Sequence, residues 1–238
     1  MSNRSIVQSS LAKISLMMST TAPPNKVNPY CDWIYDYPAN LIPEPTPELL
    51  YKKRTAGPVC SQRVLVELGS GSGNFLLQLG QHWPGCHLVG FELRYKRLVK
   101  AARKLEKEGL RNVWLLREEA EQFYRYFPAG GIDDVFVNFP DPWPKAGQWK
   151  KRLINPELLL RLETALRPGG RLHLKTDHSG YFLHVLSLLR DRPHWWIRHF
   201  SNDLHRYGPP LPNVRTEFEQ LFAAKQKAVF FLTVEYAG

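Results

Sequence analysis

At 238 residues the chain is long enough for one α/β domain with a sizeable core, or for one such domain with extensions. Its formal charge of +10 and isoelectric point of about 9.6 suit a polyanionic partner, though a generally basic protein has the same balance. Three cysteines (Cys31, Cys60 and Cys86) form no C-x-x-C pair or evident metal set, and no stretch approaches the roughly 20 apolar residues of a membrane span. A metal site, a disulfide-stapled secreted fold and a transmembrane protein are therefore not expected.

The first 31 residues contain no acidic side chain, carry Arg4, Lys13 and Lys26, and are rich in Ser and Thr. An organellar transit peptide has that composition, but a disordered tail or a true start at Met17 or Met18 explains it equally well. Otherwise the expected location is cytoplasmic. Residues 23 to 58 are crowded with prolines and read as an extended arm. Trp33, Tyr35 and Tyr37 alternate within it, which suggests that the arm packs on the domain that follows. The expected division is an extension over 1–58 and a catalytic domain over 59–238.

From Arg63 the chain alternates strand and helix, the pattern of a doubly wound, mostly parallel α/β sheet. Arg63 to Leu68 is a β-branched and apolar run leading into Gly69-Ser70-Gly71-Ser72-Gly73-Asn74 and a helical pattern through Phe75, Leu76 and Leu79. Glycines in such a turn let the backbone approach a ligand closely, and helix N–H groups face it. The spacing is G-x-G-x-G after the acid Glu67, not the G-x-G-x-x-G of dinucleotide binders. A second strand, His87 to Phe91, ends in Glu92, placed to accept from both ribose hydroxyls of an adenosine.

Tyr95, Leu98, Val99, Ala102 and Leu105 predict an amphipathic helix over 94–108, stopped by Gly109. Its outer face carries Arg94, Lys96, Arg97, Lys100, Arg103 and Lys107, at most a secondary RNA contact. Val113 to Leu116 is a third strand, followed by Glu118-Glu119-Ala120. The apolar run Ile132 to Val137 opens into Asn138-Phe139-Pro140-Asp141-Pro142-Trp143-Pro144-Lys145. Three prolines fix φ and remove N–H donors, so a stiff loop holds a carboxylate, an aromatic plane and a cation at a strand's carboxyl end. Asn155 and Pro156 cap a helix to Leu166. Arg171 to Thr176 is the next strand, then come a helix over Ser179 to Leu189 and two late strands, at Trp195-Trp196-Ile197 and Ala228 to Tyr236. These last two suggest an antiparallel pair at one sheet edge.

Together, Glu67 to Gly73, Gly90-Phe91-Glu92, Asn138 to Lys145, Lys175-Thr176-Asp177 and Thr216-Glu217-Phe218-Glu219 resemble the bacterial tRNA (guanine-N7)-methyltransferase family. The resemblance covers roughly residues 60 to 235. It implies a seven-stranded class I methyltransferase sheet with an antiparallel edge strand, S-adenosylmethionine as cofactor and tRNA as partner. The reaction implied is methyl transfer to guanosine N7, at position 46 of the variable loop. A monomer and a homodimer are both compatible with it.

The resemblance assigns the catalytic role to Asp141, touching both methyl donor and base. Cofactor binding falls to Glu67, Gly69, Gly71, Gly73, Glu92, Glu119, Ala120, Asn138 and Asp141. An Asp-Ala pair in the family meets the adenine, and here Glu119-Ala120 stands in its place, with Glu118 an alternative acid. Lys145, Asp177 and Thr216, Glu217, Phe218 and Glu219 match substrate-binding positions. Gly147, Gln148, Trp149, Lys150, Lys151 and Arg152 match a segment that meets RNA, where cations beside an aromatic suit phosphate contact and base stacking. One departure stands out: the family usually places a Gly before its last strand, where this chain has Lys225-Gln226-Lys227. Rival readings are a class I N-methyltransferase acting on another RNA, a protein or a small molecule, an NAD-dependent oxidoreductase, and a non-catalytic RNA-binding protein.

Overall fold

A computed structural model describes residues 28–56, 63–207 and 214–238. The Ser/Thr-rich start, Met17, Met18 and Cys60 lie outside the described residues. Eight strands among them form one sheet in the order β1-β4-β3-β2-β5-β6-β8-β7. They are Leu41–Ile42 (β1), Val64–Leu68 (β2), His87–Phe91 (β3), Val113–Leu116 (β4), Ile132–Asn138 (β5), Leu166–Thr176 (β6), Trp195–Ser201 (β7) and Phe230–Tyr236 (β8). Strands β1 to β6 pair in parallel, as the alternating sequence pattern requires. The late pair closes one edge, with β8 antiparallel to both β6 and β7.

The strand count differs from the expected seven because the proline-rich arm donates β1. Leu41 and Ile42 pair with Leu115 and Leu116, and the Leu115 N–H donates to the Asn40 carbonyl at 2.7 Å. That satisfies N–H groups on β4 that would otherwise form an open edge. Two residues are too short for any periodicity to reveal. Nor is the arm extended throughout. It holds a short helix, Tyr30–Trp33 (α1), a 3-10 turn at Ile34–Asp36, and a second helix, Pro47–Thr55 (α2), capped by Thr46 accepting from the Leu49 N–H at 3.1 Å. Ile34, Leu41, Ile42 and Leu50 are buried, so the arm packs on the sheet.

Helices cover both faces. Asn74–His82 (α3) and Tyr95–Lys107 (α4) share one apolar layer with Ile34 and Leu41. Leu50 of α2, a 3-10 segment at Ala120–Tyr126, Pro156–Ala165 (α5) and Ser179–Arg190 (α6) fill the other. Asn155 caps α5 as its sequence predicts, its side chain accepting from the Leu158 N–H at 2.9 Å with Pro156 in the first turn. The strand after α5 begins at Leu166 rather than 171, with a register break opposite Ile132/Asp134 absorbing Arg167 to Gly170. A short helix, Leu204–Tyr207 (α7), and the helix Glu217–Ala224 (α8) precede β8. Among the described residues no helix is long and apolar enough to cross a membrane.

Gly90, inside β3, faces α3 so closely that an added Cβ would stand 2.4 Å from Leu76 Cδ1 and 2.9 Å from Ser70 Oγ. Gly90→Ala should therefore push α3 off the sheet and cost about 1–3 kcal/mol, the usual penalty for overpacking. Urea unfolding of both proteins checks this, and an unchanged midpoint would show that α3 yields freely.

Candidate active site

Three parallel strands, β3, β2 and β5, end side by side, and the segments that leave them converge. The turn after β2 places Gly69, Gly71 and Gly73 all at positive φ, with Gly73 capping α3 at φ 77°. The Gly69 and Ser70 N–H groups both donate to the Phe91 carbonyl at 2.9 Å, which fastens the turn to the end of β3. A Cβ at Gly69 or Gly71 would project into open space, whereas one at Gly73 would stand 2.6 Å from the Ala101 Cβ. The first two glycines border the cleft, and the third lets α3 lie against α4.

Glu67, at the end of β2, is buried. Its Oε1 accepts from Asn138 Nδ2 at 2.9 Å, joining the glycine turn to the strand that opens the proline loop. Its Oε2 is buried with no partner, as is Ser70 Oγ. Burial pushes the Glu67 carboxyl up to about 8, against the opposing effect of the Asn138 hydrogen bond and of nearby Lys175. Glu67, the glycine turn, Arg97, Asn138, Phe139 and Thr216 to Phe218 line one cleft.

An adjoining bay is lined by Gly69, Glu92, Glu118, Glu119 and Ala120 among others. Glu92 is buried, accepts from the Arg94 N–H at 2.9 Å and stands 3.5 Å from the Arg97 guanidinium. The two following acids separate clearly. Glu118 is occupied, its Oε2 accepting from the Tyr126 hydroxyl at 2.6 Å and its Oε1 from the Glu119 N–H at 2.9 Å. The Glu119 side chain is exposed on the bay.

The proline loop carries strain. Phe139 and Trp143 both adopt positive φ, 50° and 41°, in a region that costs a bulky residue on the order of 1–3 kcal/mol. Three contacts hold it there. The Phe139 N–H donates to the Lys175 carbonyl at 2.8 Å, and Arg152 donates to the Pro142 carbonyl at 3.0 Å and the Trp143 carbonyl at 3.5 Å. Asp141 stands exposed on this loop, with no ion pair or hydrogen bond among the described residues. Phe139 meets Phe218 and Phe222 at 6.0 and 5.3 Å between ring centres, so an aromatic wall lines the cleft beside it.

Arg152 sits differently from its neighbours in the basic segment. Grouped there with the RNA contacts, it is only 2% exposed, and its guanidinium stacks on Trp149 at 4.7 Å and Tyr181 at 5.3 Å. It braces the loop through the Pro142 and Trp143 carbonyls. Its neighbours Gly147, Trp149, Lys150 and Lys151 are exposed and Gln148 half-buried, on a 3-10 turn over Ala146–Lys151, with exposed Lys145 just before it.

The T-x-F-E segment divides in the same way. Thr216 is buried and caps α8, accepting from the Glu219 N–H at 3.0 Å. Glu219 is fully buried, its Oε2 2.7 Å from the Lys175 ammonium, which also donates to the Val214 carbonyl at 3.0 Å. Burial lowers the Lys175 pKa, an effect that Glu219 opposes. Glu217 accepts from Ser72 Oγ at 2.6 Å and Asn74 Nδ2 at 2.5 Å and pairs with Lys104 at 3.1 Å. Burial alone would raise its pKa, but the hydrogen bonds from Ser72 and Lys104 hold it below the usual carboxylate range. Phe218 stays exposed at the cleft. Asp177, half-buried, is paired with Lys227.

Sequence reasoning passed over Lys175 and Arg97 as site residues. Lys175 had a signal: a lysine among Leu172, Leu174 and Thr176 on a strand buried on both faces needs a carboxylate partner. Arg97 had none, being one cation among several on α4.

A family model described as "Putative methyltransferase" matches residues 61–232. The tRNA (guanine-N(7)-)-methyltransferase of Geobacillus kaustophilus is 33% identical over 199 residues, which cover 84% of this chain and 90% of that one. Its counterpart in Lactobacillus acidophilus is 30% identical, covering 85% and 93%. A bifunctional glycosyltransferase/methyltransferase of Fusobacterium nucleatum is 39% identical over 69% of this chain, which spans only 26% of that longer protein. Among solved structures, an antibiotic-related methyltransferase superposes with a TM-score of 0.59 at 16% identity, over 83% of this chain and 96% of that one. The 16S rRNA methyltransferase KamB gives 0.55 at 15%, over 79% and 93%. At such identities these two structures show the fold alone, that of class I methyltransferases.

Because burial favours the neutral form of Glu67, the folded chain binds that proton more tightly than the unfolded chain does. The contribution of Glu67 to stability should be complete below about pH 4.5 and decline as pH rises towards about 8. Glu67→Gln mimics the neutral acid and should remove that component. Unfolding free energies of both proteins across this range provide the check, and parallel pH profiles would show that folding does not raise the Glu67 pKa.

Proposed function

This chain belongs to the tRNA (guanine-N(7)-)-methyltransferase family, and on that footing we propose that it methylates N7 of a guanosine in tRNA, at position 46 of the variable loop. The observation that carries the reading is the Asn138–Glu67 hydrogen bond, which sets the substrate loop against the cofactor turn while leaving Glu67 Oε2 without a partner. Bound S-adenosylmethionine supplies a methyl group activated on a sulfonium. The residues present fit that cofactor: an unpartnered buried carboxyl oxygen suits its ammonium, Glu92 its ribose hydroxyls, and the open space at Gly69 and Gly71 its methionine chain. Of the two acids after β4, Glu119 is the one free to meet the adenine, with Ala120 beside it.

Guanine N7 presents a lone pair in the ring plane, so no proton is removed before attack and no strong base is needed. The base becomes cationic as the methyl arrives. A fixed carboxylate beside it stabilises that charge, which is the role we give to Asp141. The Phe139 and Phe218 rings offer the base a flat apolar wall, and closing it excludes water from the reacting atoms. Lys150, Lys151 and the 46% exposed Trp149 lie just beyond the loop and suit phosphate and stacking contacts. Lys145 stands beside them. Asp177 can meet substrate only by giving up Lys227.

Two experiments test this. Asp141→Asn keeps the loop's shape but loses its charge, so single-turnover methyl transfer should fall by roughly 10²–10³. An undiminished rate would remove Asp141 from the mechanism.

The second experiment separates the cations. Lys150→Gln with Lys151→Gln should reduce the log–log salt slope of tRNA binding by about 1.4–1.8, two phosphate contacts' worth. Arg152→Gln should leave that slope intact while slowing transfer. Filter binding across salt concentrations decides, and an unchanged slope in the lysine pair would return it to the solvated surface.

A further inference from the structure

Helix α4 carries more positive charge than the cleft uses. Lys96, Lys100, Arg103 and Lys107 recur at i, i+4, i+7 and i+11, so they share one exposed stripe, about 16 Å long at the helical rise. None of the four pairs with a carboxylate among the described residues, whereas the other cations within this part of the helix, Arg97 and Lys104, pair with Glu92 and Glu217. The stretches outside the described residues contain no Asp or Glu at all, so they offer no neutralising side chain. Of the acids near the stripe, Glu92 pairs with Arg97 and Glu217 with Lys104, while Glu106 and Glu108 flank Lys107 in sequence at the far end of the helix.

A row of solvated lysines would explain the stripe were it not for Arg103. Its Nε donates to the Tyr37 hydroxyl at 2.8 Å, and its guanidinium lies 5.0 Å from the Trp33 ring centre. The arm thus holds the guanidinium still and leaves its outer N–H groups facing solvent, where they can grip a phosphate with little further loss of entropy. Lys96 lies 5.9 Å from the Tyr30 ring in the same way. Trp33 remains 38% exposed beside these cations.

The position of the stripe relative to the cleft is set by topology. Strand β2 is flanked by β3 on one side and by β5 on the other. The stripe begins just after Glu92 at the end of β3, and the Trp149–Lys151 segment follows β5. The two basic surfaces therefore lie on opposite sides of the glycine turn.

We propose that the α4 stripe, with Trp33 of the arm, is a second docking surface for the sugar–phosphate backbone of tRNA, across the cleft from Lys150 and Lys151. The inference rests on the tRNA reading of the site. Two anchors on one molecule raise the effective concentration of each at the other, and a backbone-directed anchor adds affinity without reading sequence.

The test compares two triple variants that remove the same charge. Lys96→Gln/Lys100→Gln/Lys107→Gln strips the stripe, and Lys52→Gln/Arg125→Gln/Arg190→Gln strips exposed cations from α2, the 3-10 segment after β4 and α6 on the opposite layer. Binding of an unmodified tRNA transcript is measured across salt concentrations, and calorimetry with S-adenosylhomocysteine verifies that each variant is folded. The stripe variant should lose about 2–3 from the log–log salt slope and the control less than about 1. Equal losses in the two, a wild-type slope in the stripe variant, or lost binding to anionic phosphatidylserine vesicles with the tRNA slope intact would each overturn the proposal. Failure of the wild type to methylate a tRNA that it binds would count against the reading of the catalytic site, and the slopes would still decide the stripe.

Discussion

The buried ammonium of Lys175 is the constraint on which the rest of the site depends. Its side chain holds Glu219 and the Val214 carbonyl, and its backbone carbonyl holds the Phe139 N–H. One residue on β6 thus ties the start of α8 and the strained proline loop to the same strand end. A pair desolvated this thoroughly adds little net stability, since both ions give up their hydration. Its consequence is placement. With α8 held there, Glu217 reaches Ser72 and Asn74 on the glycine turn, and Phe218 meets Phe139 across the cleft.

The same logic explains why two aromatic residues of the proline loop tolerate positive φ. Proline removes donors from the loop, so it cannot hold itself by its own backbone hydrogen bonds. The contacts come from outside, from β6 at Phe139 and from Arg152 at Pro142 and Trp143. Arg152 retains one buried nitrogen without a partner. That cost is consistent with a residue fixed by the loop's shape rather than by its own hydrogen-bonding needs. Asp141 is left exposed on a rigid mount, the arrangement a charge needs if it is to act without reorganising.

Several features were hidden in the sequence for identifiable reasons. Gln226 occupies the turn before β8 at φ 52°, a conformation that a glycine adopts freely. Lys227, in the same turn, takes up Asp177 and stands 5.0 Å from the Phe222 ring. The pairing with Asp177 has no local signature, because the partners are about fifty residues apart. Strand β1 was hidden by its length, and the arm's helices by prolines that read as breakers although Pro47 sits in a first turn, where it is tolerated.

The sequence by itself determined the elements whose causes are local. Apolar runs placed the core strands, Asn155 and Pro156 placed a helix start, and the glycine turn and proline loop marked two functional stretches. Strand–helix alternation was enough to put those stretches at neighbouring strand ends. Only the tertiary structure decided which polar residues face the cleft and which support it. Arg152 and Glu219 resemble ligand-binding residues in the sequence, yet both are buried against their own chain, while Glu119, Lys150 and Phe218 remain open. The physical reason is that burial is a property of packing between distant segments. A charged side chain reads the same in sequence whether its partner is a ligand or a carbonyl across the fold.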